Sequence, residues 1–163
     1  MAKITVPPKF GLIPKLVTHS VPNLRGEPGV RRAIEFVPAT PLEYLDRWIA
    51  ANDVFGDDVR LTSVVRWADG QVSFAISQPQ YAGEPATERE IDRFFEAAGW
   101  RRILDGSQHV LFYNYAFQVL AIDALPRNCY LNENGLQPFD VILCHPGEVM
   151  EDYLGLYPGI GKV

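Results

Sequence analysis

The sequence predicts an α+β fold with small antiparallel sheets and few helices, on the strength of two kinds of pattern. Apolar and polar residues alternate across residues 59–76, and residues 129–143 read as a second pair of short strands; each stretch contains a glycine turn, as β-hairpins do. Two other stretches, residues 41–51 and 88–98, place apolar residues at helical spacing behind a capping box. Hairpins combined with isolated helices define the α+β class.

Both predicted helices have clear start signals. Thr40 precedes Pro41 and is followed three residues later by Glu43, which forms a capping box with proline at the first helical position. Thr87 and Glu90 repeat the capping box for the second helix. The residues expected to share one apolar face are Leu42, Leu45, Trp48 and Ile49 in the first helix and Ile91, Phe94, Phe95 and Ala98 in the second.

The remaining segments are predicted from turn residues and short apolar runs. Residues 1–40 are rich in proline and glycine, so we expect loop there apart from a short strand over residues 3–6. Short strands are expected at residues 109–113 and 118–122, and one helical turn in the tail over residues 153–161. The tryptophans expected in the core are Trp48, Trp67 and Trp100.

Composition narrows the functional classes. The 163 residues are 47% hydrophobic and 21% charged, which is ordinary for one globular domain with a substantial core. The net charge of -5, without a basic tract, argues against nucleic-acid binding. No run of about 18 apolar residues and no signal-peptide pattern occurs, so we expect a cytoplasmic protein with no membrane role. Cys129 and Cys144 lack zinc spacing and are expected to be buried free thiols.

Three polar residues carry the strongest chemical signal. Asp123 ends an apolar strand, Asn128 follows five residues later, and Asp140 comes after the second hairpin. If they meet at one end of a small sheet, their oxygens suit Mg²⁺ and the phosphates of a nucleotide. The alternative is that Asp123 and Asn128 cap a turn and that Asp140 bonds to nearby backbone, because Asp and Asn side chains commonly do so.

The order of these residues resembles the catalytic and metal-binding loops of protein-kinase-like phosphotransferases. Over about residues 1–145, several segments are similar to the kinase-like domain of phage and mobile-element polyvalent proteins. The similar segments are Thr40-Pro41-Leu42-Glu43-Tyr44-Leu45, residues 52–58 with Phe55-Gly56-Asp57, Ser77-Gln78-Pro79, Gly83-x-Pro85-Ala86-Thr87 and Asp123-Ala124-x-Pro126-x-Asn128.

This resemblance implies a truncated two-lobe fold within a single domain over residues 1–163. Residues 1–76 would form a partial amino-terminal lobe, 77–83 a hinge-like connector, and 84–163 a reduced carboxyl-terminal lobe. The apolar pattern alone also permits a single compact sheet with two helices.

The resemblance also implies roles for individual residues, with ATP and Mg²⁺ as cofactors. Asp123 corresponds to the catalytic aspartate, and Asn128 and Asp140 to the metal ligands. Lys3 resembles the lysine that pairs with phosphate, with Glu43 as its partner on the helix. The connector resembles the segment that binds adenine. The residues of the connector that would bind the nucleotide are Gln78, Gln80 and Tyr81.

Two functions are therefore expected from the sequence. The first is phosphate transfer from ATP to a hydroxyl acceptor. The second is a pseudokinase-like module that binds a partner without catalysis, because the glycine-rich strands that cover phosphates in this family are missing before Lys3 and Val141-Ile142 replaces the usual Phe-Gly after Asp140. Their absence would leave a sheet edge near residues 1–6 and 59–77 open to a protein partner or a second copy.

Overall fold

The computed structural model describes residues 1–22, 25–106 and 109–157. Within these ranges the chain forms an α+β fold, as the sequence predicts, with three α-helices and small antiparallel sheets. The helices are α1 (Pro41–Phe55), α2 (Glu88–Ala97) and α3 (Glu148–Leu154). The strands are β1 (Ala2–Ile4), β2 (Leu12–Pro22), β3 (Pro28–Pro38), β4 (Arg60–Arg66), β5 (Val72–Ser77), β6 (Glu84–Pro85), β7 (Arg101–Leu104), β8 (Val110–Asn114), β9 (Val119–Ile122), β10 (Cys129–Asn132), β11 (Gly135–Pro138) and β12 (Ile142–Cys144).

The strands are grouped into three sheets and one two-stranded ribbon. The first sheet has the order β1-β5-β4, the second β12-β9-β8-β7 and the third β11-β10-β6, while β2 pairs with β3 and with no other described strand. Every pair is antiparallel. Helix α1 contacts β12 of the second sheet. Strand β9 of that sheet ends at Ile122, directly before Asp123, so α1 is packed on the sheet that leads to Asp123.

Both capping boxes form as predicted. The Glu43 amide donates to the Thr40 hydroxyl at 3.3 Å, and the Glu43 carboxylate accepts from the Thr40 amide at 2.7 Å. Thr87 and Glu90 make the same reciprocal pair at the start of α2. Each cap satisfies amide groups that have no partner within the helix, which fixes where each helix begins.

The predicted apolar face of α1 is wrong in part. Leu42 and Ile49 are 71% and 57% exposed, whereas Tyr44, Trp48 and Ala51 are buried. These three lie four and three residues apart and form a face of their own. The aromatic rings of that face pack on the first sheet, where Tyr44 contacts Phe74, so aromatic packing decides the rotation of the helix.

The expectation of loop is wrong for residues 12–22 and 28–38, whereas the short strand expected near residues 3–6 forms in part as β1. Strands β2 and β3 pair along their whole length, from Leu12 with Pro38 to Pro22 with Pro28. In a two-stranded ribbon every second amide points away from the partner, so a proline at such a position removes no ladder bond. Pro14 stands inside β2 in this way, opposite Phe36. The prolines therefore mark a ribbon with two free edges and do not exclude strands.

Other predicted strands form with shifted bounds, and β6, β7 and β12 lie outside the predicted pairs. Strands β8 and β9 match the pair expected near residues 109–122. The second hairpin turns at Glu133 and Asn134, but its return strand ends at Pro138, and β12 pairs with β9 instead. Strand β7, beside β8, was not predicted. The predicted tail turn corresponds in part to α3, and residues 158–161 of that prediction lie outside the described residues.

The main apolar core joins segments that lie before and after the connector. Ile76 and Phe74 of the first sheet belong to the same buried cluster as Phe95 of α2 and Phe112 of β8. Trp48 and Trp100 are buried in it as predicted. Trp67 is 48% exposed, so its predicted place in the core is wrong; its indole nitrogen donates to the hydroxyl of Ser73 across the β4–β5 hairpin.

Both cysteines are free and buried, as predicted. Burial raises the pKa of the Cys129 thiol to about 12, with a smaller contribution from the negative charge of Asp123. Burial alone raises the pKa of Cys144 to about 12. Both thiols are therefore protonated at neutral pH and act as small apolar side chains.

Among the described residues, no helix has the length and apolar character needed to cross a bilayer.

Candidate functional site

Asp123 lies directly after β9, where the chain turns into the single 3₁₀ turn Pro126–Asn128. Its φ of 60° is in the left-handed region, which aspartate tolerates better than most residues. One carboxylate oxygen accepts from the Asn128 side-chain amide at 2.8 Å, and the other accepts from Arg127 at 2.5 Å. The same Asn128 nitrogen also donates to the Asp123 carbonyl at 2.6 Å.

Asp123 and Asn128 are in direct contact, as their spacing predicts. This contact agrees with both interpretations made from the sequence, a capped turn and a ligand site. The hydrogen bonds are those of a local turn, as the structural alternative requires. They also hold an acid and an amide next to each other at the end of a buried strand, since β9 is buried at all four positions. The Asp123 side chain remains 25% exposed and can reach a ligand.

Asp140 follows β11 and is held by two cations. The guanidinium of Arg47 donates to its side-chain oxygen at 2.8 Å and to its backbone carbonyl at 2.9 Å. The Lys3 ammonium lies 3.9 Å from the same side-chain oxygen. Asp140 therefore connects β1, helix α1 and the end of the hairpin β10–β11.

A backbone hydrogen bond links the two parts of the site. The amide of Phe139 donates to the carbonyl of Asn128 at 3.0 Å, which places Asp140 one residue from the Asp123–Asn128 pair. The negative charge of Asp123 also acts on the Arg47 guanidinium. The three predicted residues thus belong to one neighbourhood, with Asp123 and Asn128 in direct contact and Asp140 joined to them through backbone and through Arg47.

Arg47 is a residue of the candidate site that sequence reasoning missed. Burial lowers the pKa of its guanidinium, and the neighbouring Asp140 carboxylate opposes that shift. The guanidinium also lies 4.8 Å from the centre of the Trp48 ring, a cation–π distance. The signal was present: Arg47 is three residues after Tyr44 on the face of α1 that is buried, and a buried arginine requires a negative partner.

The pair expected between Lys3 and Glu43 is replaced by two other pairs. Glu43 lies 2.9 Å from Lys15 of the ribbon, while Lys3 lies near Asp140 and 5.7 Å from the Trp48 ring. The hydrogen bond from the Thr40 amide lowers the pKa of Glu43, and Lys15 lowers it further. Glu43 is committed to its capping box, and the ribbon supplies the cation that the resemblance assigns to Lys3.

The connector residues have three different environments. Gln78 is buried, and neither atom of its side-chain amide has a hydrogen-bond partner among the described residues. Gln80 is exposed. Tyr81 donates to Asp57 at 2.5 Å and stacks on Phe139 at a ring distance of 5.6 Å. Burial raises the pKa of Tyr81, and the Asp57 carboxylate adds to this.

The stacking of Tyr81 on Phe139 brings the connector to the residue before Asp140. Gly83, at the other end of the connector, has a φ of 154°, and a Cβ there would lie 2.5 Å from the Leu131 carbonyl oxygen. Only glycine fits that approach, because real Cβ contacts are longer. The connector is therefore held against β10 and against Phe139, the residue that follows β11.

The chemistry of the donors suits magnesium better than a soft metal. Asp123, Asn128 and Asp140 offer only oxygen ligands from their acids and amide, and Mg²⁺ prefers oxygen. No cluster of three or more His, Cys, Asp or Glu residues with metal-binding geometry occurs in the described part of the chain. A magnesium ion would therefore have to be shared between two acids and nucleotide phosphates, and it would compete with Arg47 for Asp140.

Comparisons with known proteins give no relative. No protein family matches this sequence, and neither the curated proteins nor the solved structures include a significant match.

Proposed function

We propose that this chain is a cytoplasmic, kinase-like phosphotransferase that uses ATP and Mg²⁺ to phosphorylate a hydroxyl acceptor. The observation that carries the proposal is a pair of contacts: Lys3 lies 3.9 Å from Asp140, and the amide of Phe139, one residue before Asp140, bonds to Asn128 of the Asp123–Asn128 pair. A cation beside one acid, with a second acid and an amide nearby, is what phosphate transfer requires.

The order of elements around the site supports the proposal. Strand β1 pairs with β5, β5 pairs with β4, and α1 lies between β1 and β4 in the chain. The connector follows β5 directly, and the hairpin β10–β11 separates Asn128 from Asp140. This succession is similar to the helix, strands, connector and metal-binding hairpin of protein-kinase-like proteins, with the ribbon β2–β3 as an addition.

Each residue has a role in this proposal. Lys3 would pair with phosphate oxygens, because its ammonium lies 3.9 Å from the Asp140 carboxylate that would hold the metal. Asp140 and Asn128 would hold Mg²⁺ on the phosphates, and Asp123 would accept the proton of the acceptor hydroxyl. Gln78 would offer its buried, unpaired amide to the adenine edge, since leaving such an amide without a partner costs about 1–3 kcal/mol.

The test is a phosphate-transfer assay with radiolabelled ATP and a pool of hydroxyl compounds and proteins. Asp123→Asn should lower transfer by at least about 100-fold, because a positioned base contributes that much or more. Asp53→Asn is the matched control, since Asp53 is an exposed residue of α1. Transfer that is equal in wild type and Asp123→Asn would contradict the role of Asp123.

A second candidate function is a pseudokinase-like module that binds nucleotide or a partner without catalysis. Arg47 favours it, because its buried guanidinium occupies one oxygen of the Asp140 carboxylate that would ligate Mg²⁺. A fixed internal cation there could replace the metal as the counter-charge of the acid.

Arg47→Met separates the two candidates. In the phosphotransferase, removing Arg47 frees Asp140 and should leave or increase Mg²⁺-dependent nucleotide binding. In the module, wild type should bind nucleotide without Mg²⁺, and Arg47→Met should weaken that binding. Arg93→Met is the matched control, because Arg93 is exposed on α2.

A further inference from the structure

A cavity of about 360 Å³ lies beside Asp123, and no function has yet been assigned to it. It is enclosed by β3, α2, β7, the start of β8 and the loop that follows β9. Neither Asn128 nor Asp140 lines it, so Asp123 is the residue that the cavity shares with the candidate metal site. A volume at the lower end of the range for ligand sites suits a small molecule.

The wall of the cavity is largely apolar and held in place. Phe36, Ile91 and Ile122 line it, and Ile91 and Ile122 are almost fully buried. The Phe36 ring meets the His109 ring edge-on at 6.2 Å, and His109 Nδ1 lies 3.1 Å from the buried Asp105 carboxylate. Such a wall favours a ligand with an apolar body.

The charged residues of the lining are mostly acidic. They are Glu88, Asp92, Asp123 and Arg102. Arg102 neutralises Asp92, with its Nε 3.1 Å from the Asp92 oxygen, and Arg127 neutralises Asp123 from outside the lining. Glu88 is exposed and forms no ion pair within the described residues. The cavity therefore has one free carboxylate at its rim, which suits a cationic group on the ligand.

We propose that this cavity binds the phosphate acceptor and that the acceptor is a small amino alcohol with an apolar body. The amine pairs with Glu88, the apolar body lies against Phe36, Ile91 and Ile122, and the hydroxyl faces Asp123. This inference rests on the proposed function, because the acceptor needs ATP as the phosphate donor.

The reaction balances without a further reactant. The acceptor oxygen forms a bond to the γ-phosphorus of ATP, and the bond from that phosphorus to the β,γ-bridging oxygen breaks. The electron pair of the broken bond leaves with ADP. The hydroxyl proton passes to the Asp123 carboxylate and then to water.

The experiment measures binding of 2-amino-3-phenylpropan-1-ol without nucleotide, by titration calorimetry, with 3-phenylpropan-1-ol as the neutral comparison. The amino alcohol should bind more tightly than the neutral alcohol. Glu88→Gln should weaken amino alcohol binding by about fivefold, the contribution of one exposed ion pair, and leave binding of the neutral alcohol unchanged. Glu96→Gln, an exposed residue of the same helix, should change neither.

Phosphorylation of the amino alcohol with ATP and Mg²⁺ would complete the assignment. If ATP and Mg²⁺ bind but neither alcohol does, the inference is overturned and the proposed function stands. If the amino alcohol binds and ATP does not, the proposed function fails and the acceptor role fails with it. Amino alcohol binding that Glu88→Gln leaves unchanged would also overturn the inference.

Discussion

The pair between Arg47 and Asp140 predicts an asymmetry between two single substitutions. The Arg47 side chain is 12% exposed and that of Asp140 is 44% exposed. Asp140→Ala leaves a buried guanidinium without its carboxylate, whereas Arg47→Met leaves a carboxylate that water and Lys3 can reach. The partner that remains therefore decides the loss of stability.

The magnitudes follow from the burial of that remaining partner. Asp140→Ala should lower the free energy of unfolding by about 3 kcal/mol, the lower end for breaking a buried charge pair. Arg47→Met should lower it by about 1 kcal/mol, the net contribution of a hydrogen bond to a solvated partner. The double variant should lose about 2 kcal/mol, less than the two single losses together, because neither charge is left alone.

The assay is urea unfolding of wild type, the two single variants and the double variant, followed by far-UV circular dichroism. The free energies of unfolding are compared only if the m-values of the four proteins are equal. Asp53→Ala, on the exposed side of α1, is the control for loss of a helix acid. An Arg47→Met variant that is less stable than Asp140→Ala, or strictly additive losses, would refute the reasoning about the buried partner.

Three further predictions concern the connector, the thiols and the sheet edge. Gly83→Ala should lower the free energy of unfolding by about 1–3 kcal/mol in urea, because its Cβ would lie 2.5 Å from the Leu131 carbonyl oxygen at a strained φ; an unchanged midpoint would contradict the close approach. Cys129 and Cys144, with pKa values raised to about 12, should resist iodoacetamide at pH 8 until urea unfolds the protein; fast labelling of the native state would contradict their burial. The free edges of the sheet β1-β5-β4 predict self-association, which light scattering after size exclusion tests, and a monomer at all concentrations would remove it.

Local signals in the sequence predicted the elements that local chemistry determines. The capping boxes at Thr40 and Thr87 fix the starts of α1 and α2 because the cap and its partner are three residues apart. The β4–β5 hairpin was equally predictable, since alternation and a glycine turn are both contained in one short segment.

The features that sequence reasoning missed depend on distant contacts. Pro14 reads as a strand breaker until it is known that, among the described residues, β2 pairs with β3 and with no other strand. Ile49 has helical spacing with Leu45, yet aromatic packing against Phe74 turns it to solvent. The position of Ile142 in β12 depends on pairing with Ile122, and no turn signal between the two residues predicts that pairing.

In the candidate site, too, the local contacts were predictable from the sequence and the distant contacts were not. Asp123 and Asn128 were predictable as neighbours because only four residues, one of them a proline, lie between them. The pairing of Asp140 with Arg47 spans 93 residues and joins a helix to a hairpin, so spacing carries no sign of it. Lys3 was assigned to Glu43 by resemblance, but the ribbon brings Lys15 to that acid first.

The central claim, a nucleotide site that uses Mg²⁺ at Asp140, is tested most directly by titration calorimetry of ATP with and without Mg²⁺. Wild type should bind ATP more tightly with Mg²⁺, and Asp140→Asn should lose most of that gain while Asp53→Asn keeps it. Saturation at 100 times the dissociation constant should also raise the stability of wild type by about 2.7 kcal/mol. ATP that fails to bind wild type, or binds it and Asp140→Asn equally with Mg²⁺ making no difference, would contradict the account.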